Sequence, residues 1–320
     1  MTAGPGRAQR RAPAKLNLTL AVLGRRADGY HALHSVMVPL GLADTVTAEV
    51  AAPRADGDTL RIEGAAGSLT AGPDNLVLRA IAATREALRE WQPGAQAPFL
   101  AALLVKRIPV AAGLAGGSSD AAAAMAAALE AWGADLPEDA LHAVAASLGS
   151  DVPFFLAGGA ALVTGRGEHV ESLPPPRGVA PAVLLVTPRL HVATAAVFAA
   201  YAAGARHASA MDGATAVSER LAADLRAGML AATLLERAPE LAQANDLVAA
   251  TLAVAPELAA FRRTLGDLLG RPIGQSGSGP TAWVLYPSLE AAQSAADSVV
   301  GAAPTAGAFV AATTIVWGAQ

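Results

Sequence analysis

Apolar positions three and four apart predict helices in this chain, and alternation or short apolar runs predict strands. Leu76, Ala80, Ala83, Ala87 and Leu88 share a helical face after a Pro73-Asp74 start, so 76–91 is expected to be helical. Further helices are expected over 118–132, 137–148, 193–202, 216–227, 247–252, 257–269 and 289–300, with Gly149 placed to end the second of these. Strands are expected over 14–23, 34–40, 45–51, 99–107, 160–164, 169–173, 182–187, 282–285 and 309–316. Asp28-Gly29 marks a hairpin turn after the first strand, and 54–58 a second turn. The run Pro174-Pro-Pro-Arg-Gly178 is the sharpest break, and the small polar stretch 206–213 reads as a loop. Helices and strands interleave without a strict βαβ repeat, so the fold class is α+β.

Composition narrows the function. The 320 residues suffice for about two domains and a sizeable core. A net charge of −4 argues against a nucleic-acid partner, and the absence of cysteine excludes disulfides, thiolate metal sites and cysteine nucleophiles. Arg7, Arg10 and Arg11 are not followed by a secretory h-region, and residues 1–11 are expected to be a flexible tail. The longest uncharged tract, 298–320, carries Gly301, Pro304 and Gly307 and reads as buried strand rather than membrane span. A cytoplasmic protein without a membrane partner is expected.

The most informative segment is the loop Pro109, Val110, Ala111, Ala112, Gly113, Leu114, Ala115, Gly116, Gly117, Ser118, Ser119, which leaves a strand and opens an alanine-rich helix. Glycines admit a ligand close to backbone, and the helix start offers unpaired N–H donors at the positive end of its dipole. That is a phosphate-binding combination, though neither a Walker A nor a dinucleotide fingerprint. Ser276-Gly-Ser-Gly279 is a second glycine turn, either an ordinary connection or another anion nest. Lysine occurs only at 15 and 106, beside twenty-one arginines. Lys15 interrupts an apolar strand and is either a solvent-facing edge residue or a cation aimed at phosphate. Asp151 is either a turn-capping carboxylate or a general base, and Asp120 suits the first turn of its helix. Tyr30-His31 is either a half-buried pair or a reader of a planar base. No histidine pair has metal-ligand spacing.

Together these segments resemble the GHMP kinases. The motifs are Ala14-Lys-Leu-Asn-Leu18, Arg26-Ala-Asp-Gly-Tyr-His31, the loop 109–119, Gly149-Ser-Asp-Val-Pro153 and Ser276-Gly-Ser-Gly279. Within that superfamily they are similar to the family that phosphorylates the 2-hydroxyl of 4-diphosphocytidyl-2-C-methyl-D-erythritol in the non-mevalonate route to isoprenoids. The resemblance implies two lobes with the active site in the cleft between them. The implied domains are an ATP-binding domain over 12–165 and a C-terminal domain over 166–320. It implies ATP and Mg²⁺ as cofactors and a small cytidyl diphosphate alcohol as substrate. Lys15 and Asp151 would be the catalytic pair, and 109–119 would cradle the phosphates. Asn17 would contact the substrate, His31 and Tyr30 would hold the cytosine, and Phe198 would cover its other face with Thr194 nearby. Ala111, Ala112 and Ala115 stand where many relatives have glycine, so phosphate contacts are expected at Gly113, Gly116 and Gly117, with the alanines at negative φ. Kinases acting on mevalonate, homoserine or a sugar, and a non-catalytic nucleotide-binding module, are the alternatives; Tyr30-His31 argues for the cytidyl substrate.

Overall fold

The computed structural model describes residues 6–52, 55–65, 67, 69–204, 208–302 and 305–318. The chain forms two compact units that are not contiguous halves: one comprises 1–14, 43–110 and 115–156, the other 15–42, 111–114 and 157–320. The interleaving arises because two long strands run through both. These are β1 (Arg7–Asn17) and β3 (His31–Val50), which pair with each other. The expected tail over 1–11 is therefore corrected: Arg7 to Arg11 are strand, with Ala8 and Ala12 buried. The two strands expected over 34–40 and 45–51 are one.

In the first unit, the end of β3 pairs antiparallel with β5 (Leu100–Lys106), from Thr45↔Val105 to Val50↔Leu100. β5 also pairs in parallel with β4 (Thr59–Gly64), which the sequence pattern did not mark. A parallel pair needs a crossover, and α1 (Leu76–Trp91) provides it. Asn75 caps α1 by accepting from the Val77 N–H at 3.0 Å. The loop after β5 leads to α2 (Gly116–Trp132), followed by α3 (Glu138–Leu148) and the short α4 (Val152–Leu156). α2 is alanine nearly all round, and its residues Ala121, Ala124, Met125 and Ala128 are fully buried. Such a helix has no solvent face and belongs in a core. It packs there with Val77, Ile81 and Leu88 of α1 and with Val46, Leu100 and Leu104 of the strands.

In the second unit, β2 (Ala21–Arg25) and β6 (Ala161–Gly165) pair antiparallel with the first part of β3, and β7 (His169–Ser172) extends β6. A separate antiparallel sheet has the order β11-β8-β10-β9, formed by β8 (Ala182–Thr187), β9 (Gly274–Gln275), β10 (Ala282–Tyr286) and β11 (Phe309–Thr314). Every residue of β8 and β10 is buried, as expected of strands covered on both faces. The helices are α5 (Thr194–Ala203), α6 (Ala208–Arg226), α7 (Ala232–Glu236), α8 (Ala238–Gln243), α9 (Val248–Val254), α10 (Glu257–Leu269) and α11 (Leu289–Val299). α6 replaces the loop expected over 208–213; residues 206 and 207 lie outside the described residues. No helix among the described residues is long and apolar enough to cross a membrane.

One buried ion pair anchors the first unit. Arg85 donates to both oxygens of Asp58 at 2.7 and 2.5 Å and to the Ala97 carbonyl at 3.1 Å. Its guanidinium carbon lies 5.3 Å from the Phe99 ring and 5.2 Å from the Trp132 ring. Asp58→Ala would leave that cation buried and unpaired, at a cost of about 3–5 kcal/mol. Urea denaturation should show this loss; a change below 1 kcal/mol (on the order of a surface pair) would show that the pair is not structural.

Candidate active site

The glycine loop 109–119 follows β5 and runs into the first turn of α2. Its helix has no side-chain cap: Ala115 occupies the N-cap position at φ 51°, ψ 33°. The first N–H groups of α2 therefore lack intrahelical partners. Ser119 is fully buried in this first turn, and its hydroxyl has no hydrogen-bond partner among the described residues. An uncapped helix start beside an unpartnered hydroxyl is chemically suited to an anion.

The alanines in the loop do not behave as expected. Ala111 has φ 55° and Ala115 φ 51°, both left-handed. The loop needs this hand at both places to leave β5 and enter α2, and a Cβ does not prevent it; it only raises the energy.

The middle of the loop belongs to the second unit, where it meets the other glycine turn. Ser276 donates its hydroxyl to the Gly113 carbonyl at 2.9 Å, and Thr281 donates to the Ala112 carbonyl at 2.6 Å. Gly113 has φ 77°, and a Cβ there would collide with the carbonyl oxygens of Ser276 and Gly279. Both the hand and the close approach require glycine.

Lys15 joins the same group. It is 3% exposed, so the solvent-facing reading fails. Its N–H bonds the Leu114 carbonyl at 3.0 Å, and its ammonium donates to Asn17 Oδ1 at 2.5 Å. Asn17 in turn donates to Ser35 at 2.8 Å, and Ser35 to the Thr19 carbonyl at 2.6 Å. A Cβ on Gly277 would lie 3.3 Å from the Lys15 ammonium nitrogen. Lys15, Asn17, Gly113 and the 276–279 turn are thus brought together. Asp151 is half-buried in the first unit, directly before α4.

The aromatic residues assemble elsewhere in the second unit. His31 stacks on Phe198 with centroids 5.2 Å apart and planes at 26°, and meets Tyr201 edge-on at 6.1 Å. Burial, then the nearby Arg25, moves the His31 pKa below its usual value. Tyr30 is half exposed, with the Arg166 guanidinium 5.3 Å from its ring centre. Asp28 orders the preceding turn by accepting from the Tyr30 N–H at 3.1 Å. Thr194, at the start of α5, bonds Ser278 at 2.9 Å.

Comparison with known proteins decides the family. Residues 75–159 match the family described as GHMP kinases N terminal domain. A protein of Pelotomaculum thermopropionicum named 4-diphosphocytidyl-2-C-methyl-D-erythritol kinase is 39% identical over 289 residues, covering 89% of this chain and 91% of that protein. The chain belongs to the 4-diphosphocytidyl-2-C-methyl-D-erythritol kinase family. A crystal structure of a 4-(cytidine 5'-diphospho)-2C-methyl-D-erythritol kinase is 32% identical, with a TM-score of 0.69 over 97% of this chain and all of that one. The L. major mevalonate kinase solved with R-mevalonate has a TM-score of 0.72 at 13% identity, covering all of both chains, which shows the shared fold alone. Kinases of this superfamily use ATP.

Three features beside the candidate residues escaped the sequence pattern. Tyr201 completes the aromatic group around His31. Asn245 donates to the Gln275 and Gly277 carbonyls, both at 3.0 Å, and Thr251 to the Ser278 carbonyl at 3.2 Å, so the second glycine turn is held from behind. Lys106 is buried between Asp44 and Asp120. Its rarity was the one available signal. The carboxyl group of Asp120 is pushed up to about 7, chiefly by burial. The attraction of Lys106 opposes this, and the like charge of Asp44 adds to it.

Two outcomes follow. Ala111→Gly and Ala115→Gly should each stabilise the protein by about 0.5–1 kcal/mol in urea denaturation, relief of strain exceeding the added chain entropy. Destabilisation by both would show that the alanines are not strained. For Asp120, a folded-state pKa above the unfolded one means that the folded protein binds more protons. Its contribution is then fully present below about pH 4 and is lost as pH rises towards about 7. Stability should fall from about pH 5 to pH 8, and the fall should shrink in Asp120→Asn. An equal fall in both proteins would remove the assignment.

Proposed function

We propose that this chain is an ATP-dependent kinase that phosphorylates the 2-hydroxyl of 4-diphosphocytidyl-2-C-methyl-D-erythritol, in the non-mevalonate route to isoprenoid precursors. The identity shared with relatives of that name along nearly the whole chain carries the reading. The burial of Lys15 beside two glycine turns supports it.

Phosphoryl transfer depends on positioning and charge neutralisation. The substrate oxygen bonds to the γ-phosphorus, the bond to the bridging β,γ-oxygen breaks, and ADP leaves. Asp151 takes the hydroxyl proton. Lys15 neutralises charge on the transferring group, its ammonium held in place by Asn17. The N–H groups at the start of α2 and the Ser118 and Ser119 hydroxyls bind phosphate oxygens. Among the described residues no cluster of three His, Asp or Glu side chains could hold a metal ion. That fits Mg²⁺ carried mainly by phosphates and water, where it would neutralise phosphate charge. His31, kept neutral by its lowered pKa, offers one ring N–H and one acceptor to the cytosine. Phe198 and Tyr30 supply stacking surfaces, and Thr194 lies beside them. A cytoplasmic location accords with these substrates.

ATP consumption measured with the cytidyl alcohol, mevalonate and homoserine should show turnover with the first alone. Lys15→Ala and Asp151→Asn should each lower kcat by about 10²–10⁴ while circular dichroism and melting stay unchanged. Turnover of mevalonate in place of the cytidyl alcohol would overturn the substrate. Near-normal kcat in folded Asp151→Asn would end its role as base.

A further inference from the structure

Lys106 is 3% exposed and is the last residue of β5. Its ammonium donates to Asp44 and, at 2.7 Å, to Asp120 Oδ2. The second oxygen of Asp44 accepts the N–H groups of Arg107 at 2.5 Å and Ile108 at 2.8 Å, the residues that lead into the phosphate loop. Asp120 stands at the other end of that loop, directly after Ser119 and just past the first turn of α2. All of these groups are in the first unit. We propose that Lys106 is a positioning residue for the phosphate loop, fixing its entry through Asp44 and its exit through Asp120, and that the charge on Asp120 sets how tightly the loop holds a triphosphate. This rests on reading 109–119 as the ATP loop.

The cluster places two carboxyl groups against one ammonium in a buried space. Such a set cannot carry all its charges cheaply. Asp120 Oδ1 has no partner among the described residues, whereas both oxygens of Asp44 are engaged. The weakly satisfied member is therefore Asp120, and its pKa near 7 agrees. The charged groups facing it are Lys106 from β5 and Asp44 from β3; its own first turn adds only serine hydroxyls. With Asp120 protonated, the cluster is neutral. With Asp120 ionised, one negative charge sits beneath the N–H groups that would receive phosphate oxygens. A triphosphate then favours the protonated form. By reciprocity, binding must draw a proton from solvent just above neutral pH. A purely structural ion cluster would hold the loop but take up no proton.

The test is calorimetric titration of the full-length protein with Mg·ATP, without alcohol, near pH 7.5, in two buffers of different ionisation enthalpy. The wild type should take up about half a proton per ATP. Its affinity should fall several-fold, up to about tenfold, between roughly pH 6.5 and 8.5. Asp120→Asn should abolish the uptake and reduce the affinity ratio across that range at least about threefold. Asp44→Asn removes the same unit of charge and should also flatten the pH dependence. Lys106→Met should raise KM for ATP about tenfold or more, with KM for the alcohol little changed. Wild-type binding without proton uptake, or equal uptake in folded Asp120→Asn, overturns the proposal and leaves the kinase reading intact. Failure of the wild type to bind Mg·ATP overturns both.

Discussion

The start of α2 is the constraint around which the rest is arranged. A helix that begins inside a protein leaves several N–H groups without carbonyl partners, and leaving them buried and unmet is costly. Here no side chain caps them, because Ala115 cannot. The chain instead leads into the helix through a loop that turns left-handed at Ala111, Gly113 and Ala115. The strained alanines and the uncapped helix start thus fall at the same place in the chain.

Cations are then placed where an ammonium's compact charge can be used. Arginine serves the surface and the structural pair with Asp58. The two lysines are both buried, each at the edge of a glycine-bearing segment. Lys15 donates to a neutral amide, Asn17. Lys106 is held by carboxyl groups, so its charge is spent on tying backbone together. One residue type thus serves two ends, and the partner determines which.

Much of this was legible in the sequence because local chemistry is local. The helix 76–91 and the strand 182–187 appear at their expected bounds, since their apolar spacing matches what they bury. The glycine loop running into a helix was legible for the same reason. What failed depended on distant partners. The strands expected over 34–40 and 45–51 are one, and nothing nearby shows that Arg107, Ile108 and Lys106 satisfy the buried carboxylate of Asp44 between them. The basic stretch before residue 12 looked like a tail, because its pairing with β3 is long-range. Alanine at 111 and 115 implied ordinary φ, because the loop's path is set by what it must join. The motif resemblance placed His31 and Phe198 around one ligand, but their direct stack could not be derived from spacing.

A shared backbone does not choose an acceptor alcohol. In the second unit the choice can be followed through hydrogen bonds. The turn 276–279 accepts the Asn17 N–H at Ser276, Asn17 in turn accepts from the Lys15 ammonium, and through Ser278 the turn holds Thr194 at the start of α5. One turn further along α5, Phe198 meets His31. The cation and the aromatic face are therefore fixed to the same turn, which Asn245, Gln275 and Thr251 brace from behind. A shift of that turn would move both at once. A substitution at Asn245 would therefore disturb the surroundings of Lys15 and the His31–Phe198 stack together.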